Sequence, residues 1–271
     1  YKTLDGQHVL PKHFHSIKEA KAWVEQRENQ DIVFGNTQYP YCYISDEYPN
    51  DVPWDKDQIL IVTIDIEVEC ENGFPNPQDA AEPLLSITMK NHQNKKIVVW
   101  GLHEFQNNRD DVDYRLCRDE DDLLIKFLDE WRMIYPDIIT GWNTEFFDIP
   151  YICNRINNLF GEEFMHKLSP WNNVFAREVY QMGRKHQVYT IQGVSALDFY
   201  DLYRKFTYTN QERYTLDHIA FVELGERKDG NPFETFKECY QKDYQSFIEY
   251  NITDVELVDK RALGGYLAIN Q

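Results

Sequence analysis

The sequence predicts an α/β protein in which a mixed central sheet is flanked by helices, with a β-hairpin insertion and a small α+β element in front. Three observations carry this. Gln58 to Cys70, QILIVTIDIEVEC, is dense in Ile and Val, whose branched side chains fit a pleated sheet better than a helix. Two further apolar runs follow at short intervals. Beyond them, a stretch of helical periodicity, a short apolar run and a second helical stretch alternate. At 271 residues the chain can bury a full core, as one large domain or two smaller ones.

Residues 1–56 read as a separate, smaller element. Ser16 to Glu19 is a capping-box pattern, and Ala20, Trp23 and Val24 give the helix behind it one apolar stripe. YCYISDEY, Tyr41 to Tyr48, is strand-like, and the Pro- and Asp-rich segment Tyr48 to Gln58 reads as a linker. His8, His13 and His15 cluster here, but their spacing around Pro11 predicts surface residues rather than a metal site.

Residues 57–271 form the main body. After the central strand comes a proline-rich loop, Asn72 to Pro83, then strands at Leu84–Lys90 and Lys96–Leu102 joined by a polar turn. Glu120 to Tyr135 is a helix: Leu123, Leu124, Phe127, Leu128 and Trp131 recur at helical spacing behind an acidic first turn that suits the macrodipole. Pro136 ends it. Asp137 to Thr140 is a short strand, and a helix runs from about Pro150 to Phe160. Three strands, a helix, a strand and a helix is the order of a ribonuclease H-like mixed sheet. Residues 177–192 read as a β-hairpin whose tip, Met182 to Lys185, is basic in an acidic chain. A strand-like VSALDFYDLYRKF follows, and a last helix spans about Tyr240 to Leu263, with Phe247, Ile248, Val255 and Val258 on its apolar face and Gly264-Gly265 as its stop.

Composition narrows the function. The chain is rich in aromatics, with 18 Tyr, 16 Phe and 6 Trp. No apolar run reaches the roughly 20 residues of a membrane span. Five scattered cysteines without a CxxC pair argue against disulfides and a zinc site and fit a reducing cytosol. A formal charge of −18 argues against a protein that coats nucleic acid, but not against an enzyme that holds a few nucleotides through metal ions. The first residue is Tyr rather than Met, which leads us to expect a piece of something larger.

The chemistry-bearing residues are acidic groups at the ends of apolar elements. Asp65 and Glu67 alternate on the central strand and so share one face. Asp148 stands where a strand–loop becomes a helix, and Tyr250 and Asp254 lie one turn apart on the last helix. Neighbouring carboxylates at a buried surface repel each other and lose hydration, and a divalent cation relieves both penalties. Four carboxylates and a tyrosine suit phosphodiester hydrolysis by two metal ions about 3.5–4 Å apart. Taken singly, each group has a plainer explanation. The strand carboxylates fit a solvated sheet face, Asp148 an N-cap ahead of Pro150, Tyr250 a core residue and Asp254 a surface charge. Their combination in this order favours the metal site.

DIE at 65–67, NTEFFD at 143–148 and YNITD at 250–254 resemble the three exonuclease motifs of family B DNA polymerases, in the class with tyrosine in the third motif. DIEVECENGFPNP, TGWNTEFFDIPYICNRI, GVSALDFYDLYRKFTYTNQ and YNITDVELVDK are similar to the T-even-type bacteriophage subgroup, and the resemblance spans nearly the whole chain. It implies a metal-dependent 3′→5′ proofreading exonuclease, residues 57–271, behind a remnant of the polymerase N-terminal domain, residues 1–56. Asp65, Glu67 and Asp254 would hold the nucleophile-side metal, Asp65 would bridge to a second ion, and Asp148 would reach that ion through water. Tyr250 would position the attacking water. Asn143 would lie beside the terminal nucleotide, Phe74 would stack on frayed bases, and Phe147, Lys228, Arg184 and Lys185 complete the DNA-contacting set. Packing of Phe74 on the domain and solvation of the hairpin tip are the alternatives.

The implied cofactors are two Mg2+ ions, with Mn2+ as a substitute. The implied partners are single-stranded DNA or a primer 3′ end, the polymerase body and, through it, a sliding clamp and a single-strand-binding protein, in the cytoplasm of an infected bacterium. No polymerase-palm pattern is present, so no DNA synthesis is expected of this stretch. Two rival readings stand beside this one: an RNA-processing nuclease of the same motif class, and a binding fragment that holds single strands or replication partners with little activity of its own.

Overall fold

The structure, a computed structural model, describes all residues except 4, 31, 35–38, 52, 54, 71, 72, 182, 226–235 and 262–271. The chain divides into two compact units, Tyr1–Asp55 and Lys56–Gln271.

In the first unit, helix α1 (Ile17–Glu25) begins as its sequence predicts. Ser16 Oγ accepts the Glu19 N–H at 3.1 Å, and Glu19 Oε2 accepts the His15 N–H at 3.1 Å. Trp23 packs on Phe14, with Lys12 Nζ 4.0 Å from its ring centroid. Helices α2 (Arg27–Gln30) and α3 (Tyr39–Glu47) follow. The α3 segment corrects the expected strand YCYISDEY. Strand preference is largely a preference for a half-buried pleated surface, and among the described residues the unit offers only one isolated bridge, Lys2 with His8. Tyr41, Tyr43 and Ile44 therefore stay exposed on a helix that tolerates Pro40 in its first turn. His8, His13 and His15 are exposed.

The second unit is built on a six-stranded sheet. Its strands are β1 (Ile61–Val68), β2 (Leu84–Asn91), β3 (Ile97–Gly101), β4 (Val112–Leu116), β5 (Ile138–Thr140) and β8 (Ser195–Ala196). The spatial order is β4-β3-β2-β1-β5-β8. β1 runs antiparallel to β2 and parallel to β5; β2–β3 is antiparallel, and β3–β4 and β5–β8 are parallel. The mixed sheet flanked by helices is the expected ribonuclease H-like architecture. β4 was not anticipated, because VDYRL buries only Val112 fully and reads as polar.

The period of two in β1 divides the core. Val62, Ile64, Ile66 and Val68 are buried with α4 (Glu120–Ile134) and α5 (Asp148–Phe160), where Trp100, Phe127 and Trp131 form an aromatic row. Helix α6 (Glu162–His166) continues that layer. On the opposite face, Leu85, Ile97, Val99 and Val112 meet Phe247, Ile248, Ile252 and Val255 of α10 (Tyr244–Arg261). Asp65 and Glu67 alternate with the first set and so belong to the α10 face.

β6 (Val174–Gln181) and β7 (Arg184–Ile191) form the separate two-stranded hairpin. The strand-like VSALDFYDLYRKF is corrected: Ser195 and Ala196 join the sheet edge, and from Phe199 the segment is helix α7 (Phe199–Phe206), capped by Asp198. Helix α8 (Leu216–Leu224) packs with it and with Leu257 and Val258 of α10. The last helix, expected from about Tyr240, is divided. α9 (Phe236–Lys242) stops, and Asp243 caps a new start by accepting the Ser246 N–H at 3.1 Å. Gly264 and Gly265 lie outside the described residues. No disulfide joins any of the five cysteines, and among the described residues no helix is long and apolar enough to cross a membrane.

Candidate active site

β1 and α10 meet face to face, and the acidic residues of both converge there. One carboxylate oxygen each from Asp65, Glu67 and Asp254 lies within 4.8 Å of the others. Asp65 and Glu67 are half-buried and Asp254 is buried. Tyr250 sits one turn before Asp254 on the same helix, half-buried. α10 is tied to the sheet close by, where Asn251 Nδ2 donates to Ser86 Oγ at 2.8 Å, and Ser86 is the cross-strand partner of Glu67.

Asp148 approaches from the other side of β1. It is the first residue of α5, not its N-cap. Its Oδ1 accepts the Ile66 N–H at 3.0 Å, a group left open because the pairing with β5 ends at Thr63. Ile66 stands between Asp65 and Glu67, so this one bond joins the second acidic motif to the first. Burial pushes the Asp148 carboxyl up to about 7; the Ile66 hydrogen bond pulls the other way, and the charges of Asp198 and Asp254 add to the rise. A cation among these groups would reverse that balance.

The turn from β5 into α5 is tightly built. A Cβ on Gly141 would collide with Thr144 Oγ1 and stand 2.7 Å from the Ile64 carbonyl, so only glycine lets the turn lie against β1. Asn143 adopts φ 68°, the left-handed region, and its carbonyl accepts the N–H groups of Phe146 and Phe147. Asp198 Oδ1 accepts from the Asn143 N–H at 3.0 Å and Oδ2 from the Glu145 N–H at 2.9 Å. Burial raises the Asp198 carboxyl to about 6 against the pull of its three backbone donors.

Of the other predicted residues, Phe74 is 84% exposed with its ring 5.1 Å from that of Phe147, which in turn packs on Tyr151. Phe74 thus touches the domain yet is mostly exposed to solvent. Arg184 and Lys185 are exposed at the free end of the hairpin, and Lys185 is paired with Glu178 at 2.5 Å. The hairpin touches the site turn through Arg177–Glu145 at 2.8 Å near its middle and through the His186–Phe146 ring contact nearer its tip. Lys228 lies outside the described residues. Sequence reasoning missed Gly141 and Asp198. The available signal for Asp198 was an aspartate directly ahead of an amphipathic FYDLYRKF, an N-cap pattern.

Comparison with known proteins fits this geometry. The family model described as DNA polymerase family B, exonuclease domain, matches residues 17–219. The DNA-directed DNA polymerase of Escherichia phage RB69 is 31% identical over 283 residues, covering 94% of this chain and 31% of that protein. That of Enterobacteria phage T4 is 31% identical over 285 residues, covering 95% and 31%. DNA polymerase 1 of Sulfolobus acidocaldarius is 29% identical over 205 residues, 73% of this chain. The chain spans about a third of the length of the two phage proteins it matches, 31% in each case.

Proposed function

Since the chain belongs to the exonuclease domain family of family B DNA polymerases, we propose that it removes mononucleotides from the 3′ ends of single-stranded or frayed DNA with divalent metal ions. The observation that carries this reading is the convergence of Asp65, Glu67 and Asp254 where β1 and α10 meet. Three carboxylates offer only hard oxygen donors, and their mutual repulsion is relieved by a hard dication, so the residues fit magnesium. Two such ions, when bound, supply the charge that acidifies an attacking water and stabilises the leaving oxygen.

The chain's own residues divide the remaining work. Asp65, Glu67 and Asp254 would hold one ion, and Asp65 with Asp148 the other. The neutral Tyr250 hydroxyl orients the attacking water without adding charge. Asn143 flanks the terminal nucleotide. The exposed Phe74 ring, backed by Phe147, gives a splayed base a stacking surface, worth roughly 1–3 kcal/mol. Stacking and phosphate contacts do not read base edges, so sequence preference is slight. Mismatched ends are favoured because they cost less to unpair. Residues 1–56 would belong with a polymerase N-terminal domain. In a longer chain, the polymerase body would deliver the primer end, and a sliding clamp or single-strand-binding protein would be met through that body.

The test is degradation of a labelled single-stranded oligonucleotide with magnesium, manganese or EDTA, comparing the wild type with Asp65→Ala and Asp254→Ala. Stepwise loss of mononucleotides, abolished by EDTA and by either substitution, is expected. Intact DNA at high protein concentration with either metal would sink the claim of autonomous hydrolysis, and the binding-fragment reading would take its place. Equal degradation of an RNA oligonucleotide would widen the substrate class.

A further inference from the structure

We propose that Asp198 is a positioning residue for this site: it fixes the turn that carries Asn143 and leads Asp148 into α5. The proposal deepens the nuclease reading and rests on it for the identity of the reaction.

The turn between β5 and α5 is irregular backbone, and Asn143 holds a left-handed conformation within it. Backbone of that kind persists when its surroundings over-determine it. Asp198 supplies the constraint. Its buried carboxylate takes three backbone N–H groups: Asn143 at 3.0 Å and Tyr200 at 2.9 Å on Oδ1, and Glu145 at 2.9 Å on Oδ2. Capping α7 needs only the bond from Tyr200. The other two reach back 55 and 53 residues to the turn. Trp142, just before them, packs on Phe199 and Tyr200 and donates its Nε1–H to the Tyr214 carbonyl at 3.0 Å. The Phe199 N–H closes the segment onto the Gly141 carbonyl at 3.0 Å.

The bonds then run on to the acidic residues. Phe146 and Phe147 donate to the Asn143 carbonyl at 3.2 and 3.1 Å, Asp148 follows at once, and its Oδ1 receives the Ile66 N–H at 3.0 Å. Ile66 separates Asp65 from Glu67 in β1. Asp198 thus stands at the head of a short series of contacts that sets where Asn143 and Asp148 sit relative to the strand carboxylates. Its own carboxylate is taken up by three backbone N–H groups, so it acts through the turn.

The two roles of Asp198 can be separated by substitution. In Asp198→Asn the amide oxygen can still serve Asn143 and Tyr200, and asparagine remains a good cap. Its NH2, however, meets the Glu145 N–H donor to donor. Asp198→Ala removes both roles. Wild type and both variants are compared by circular dichroism and thermal unfolding, by hydrolysis with magnesium, and by the fluorescence of a single-stranded oligonucleotide ending in 3′-terminal 2-aminopurine, bound with calcium so that no turnover is needed. We expect folded Asp198→Asn to bind the oligonucleotide nearly as well as wild type. Its hydrolysis should fall on the order of 100-fold, the loss that follows from misplacing reacting groups by about 1 Å, and its terminal-base signal should move toward that of free DNA. Wild-type hydrolysis and a wild-type terminal-base signal in Asp198→Asn would overturn the proposal and leave Asp198 as a helix cap. If Asp198→Ala does not fold, Asp198→Asn decides. If the wild type binds but does not hydrolyse, the nuclease reading fails and the terminal-base signal alone decides for Asp198. A wild type that gives no terminal-base signal overturns both.

Discussion

Asp148 begins α5 with its carboxyl inside the protein, and Asp198 is buried nearby; the two are pushed up from 3.8 to about 7 and about 6 respectively, burial being the largest cause. Carboxyls of the unfolded chain release their protons near 3.9. Between there and about 7 the native state therefore holds more protons than the unfolded state, and stability falls as pH rises. The carboxyls shifted the other way, Asp111 and Asp259 among them, titrate below that window; buried His92, lowered from 6.5, opposes the trend below about pH 6.5, but as one group against two. In EDTA the unfolding midpoint should thus decline from about pH 5 to about pH 8. Magnesium should raise it more at the upper end, where the carboxylates are charged. A midpoint that is flat or climbing in EDTA would show that these groups stay near their ordinary values. A second residue-scale prediction concerns Gly141. Placing a methyl group 2.7 Å from the Ile64 carbonyl in Gly141→Ala forces the turn away from β1. Overpacking of this sort costs typically 1–3 kcal/mol, read as a lower urea midpoint, and hydrolysis should fall with it. A wild-type midpoint and rate would mean that the turn has room the contacts do not suggest.

At the scale of elements, α10 must stay in place on the sheet for Asp254 to meet Asp65 and Glu67, and a buried polar network fastens its far end. Lys90 Nζ lies 2.8 Å from Asp259 Oδ2, and His92 Nδ1 lies 3.2 Å from Oδ1, with all three side chains under 10% exposed. His92 Nε2 is 2.7 Å from Thr63 Oγ1, on the β1 face that also carries Asp65. Burial holds the His92 pKa down, while its cationic neighbours hold that of Asp259 down. A neutral imidazole donating from Nδ1 and accepting from Thr63 satisfies every partner. Asp259→Ala would leave Lys90 buried without its anion, a change that typically costs 3–5 kcal/mol. Urea denaturation should show that loss, and a shift below about 1 kcal/mol would place the network among the weak surface pairs.

Elements with a one-dimensional signature were legible in the sequence: α4 through its acidic start and apolar stripe, and β1 through its alternation. The segments at 41–48 and 194–206 were not. Tyr, Phe and Ile there suit a strand only where a neighbouring strand exists, and none adjoins α3 or α7 among the described residues. The carboxylates were legible because spacings of two and four fix faces. Asp198 was not legible as a positioning group, because its partners are backbone N–H groups more than 50 residues away.

For the whole molecule, the net charge of −18 sets how DNA would be held under the proposed function. Non-specific binding to phosphate rests on lysines and arginines that displace condensed counterions, and its salt dependence counts them, with a slope of about −0.7 per contact for single strands. This chain carries 28 basic against 46 acidic residues. Several of the basic ones are already engaged with acidic partners, as in Arg177–Glu145, Lys185–Glu178 and Arg155–Glu120. Affinity for a single strand should therefore come from bound cations and from stacking on Phe74, neither of which releases many counterions. In EDTA, binding of a short oligonucleotide should be undetectable at moderate salt. With calcium it should appear, weaken in Phe74→Ala, and depend on monovalent salt with a slope shallower than about −2, fewer than three contacts by the same count. Fluorescence anisotropy across a salt series reads all three quantities. Tight binding in EDTA with a steep slope would mean that a basic surface holds the strand, and the metal-centred account of affinity would have to be abandoned even if the carboxylates prove catalytic.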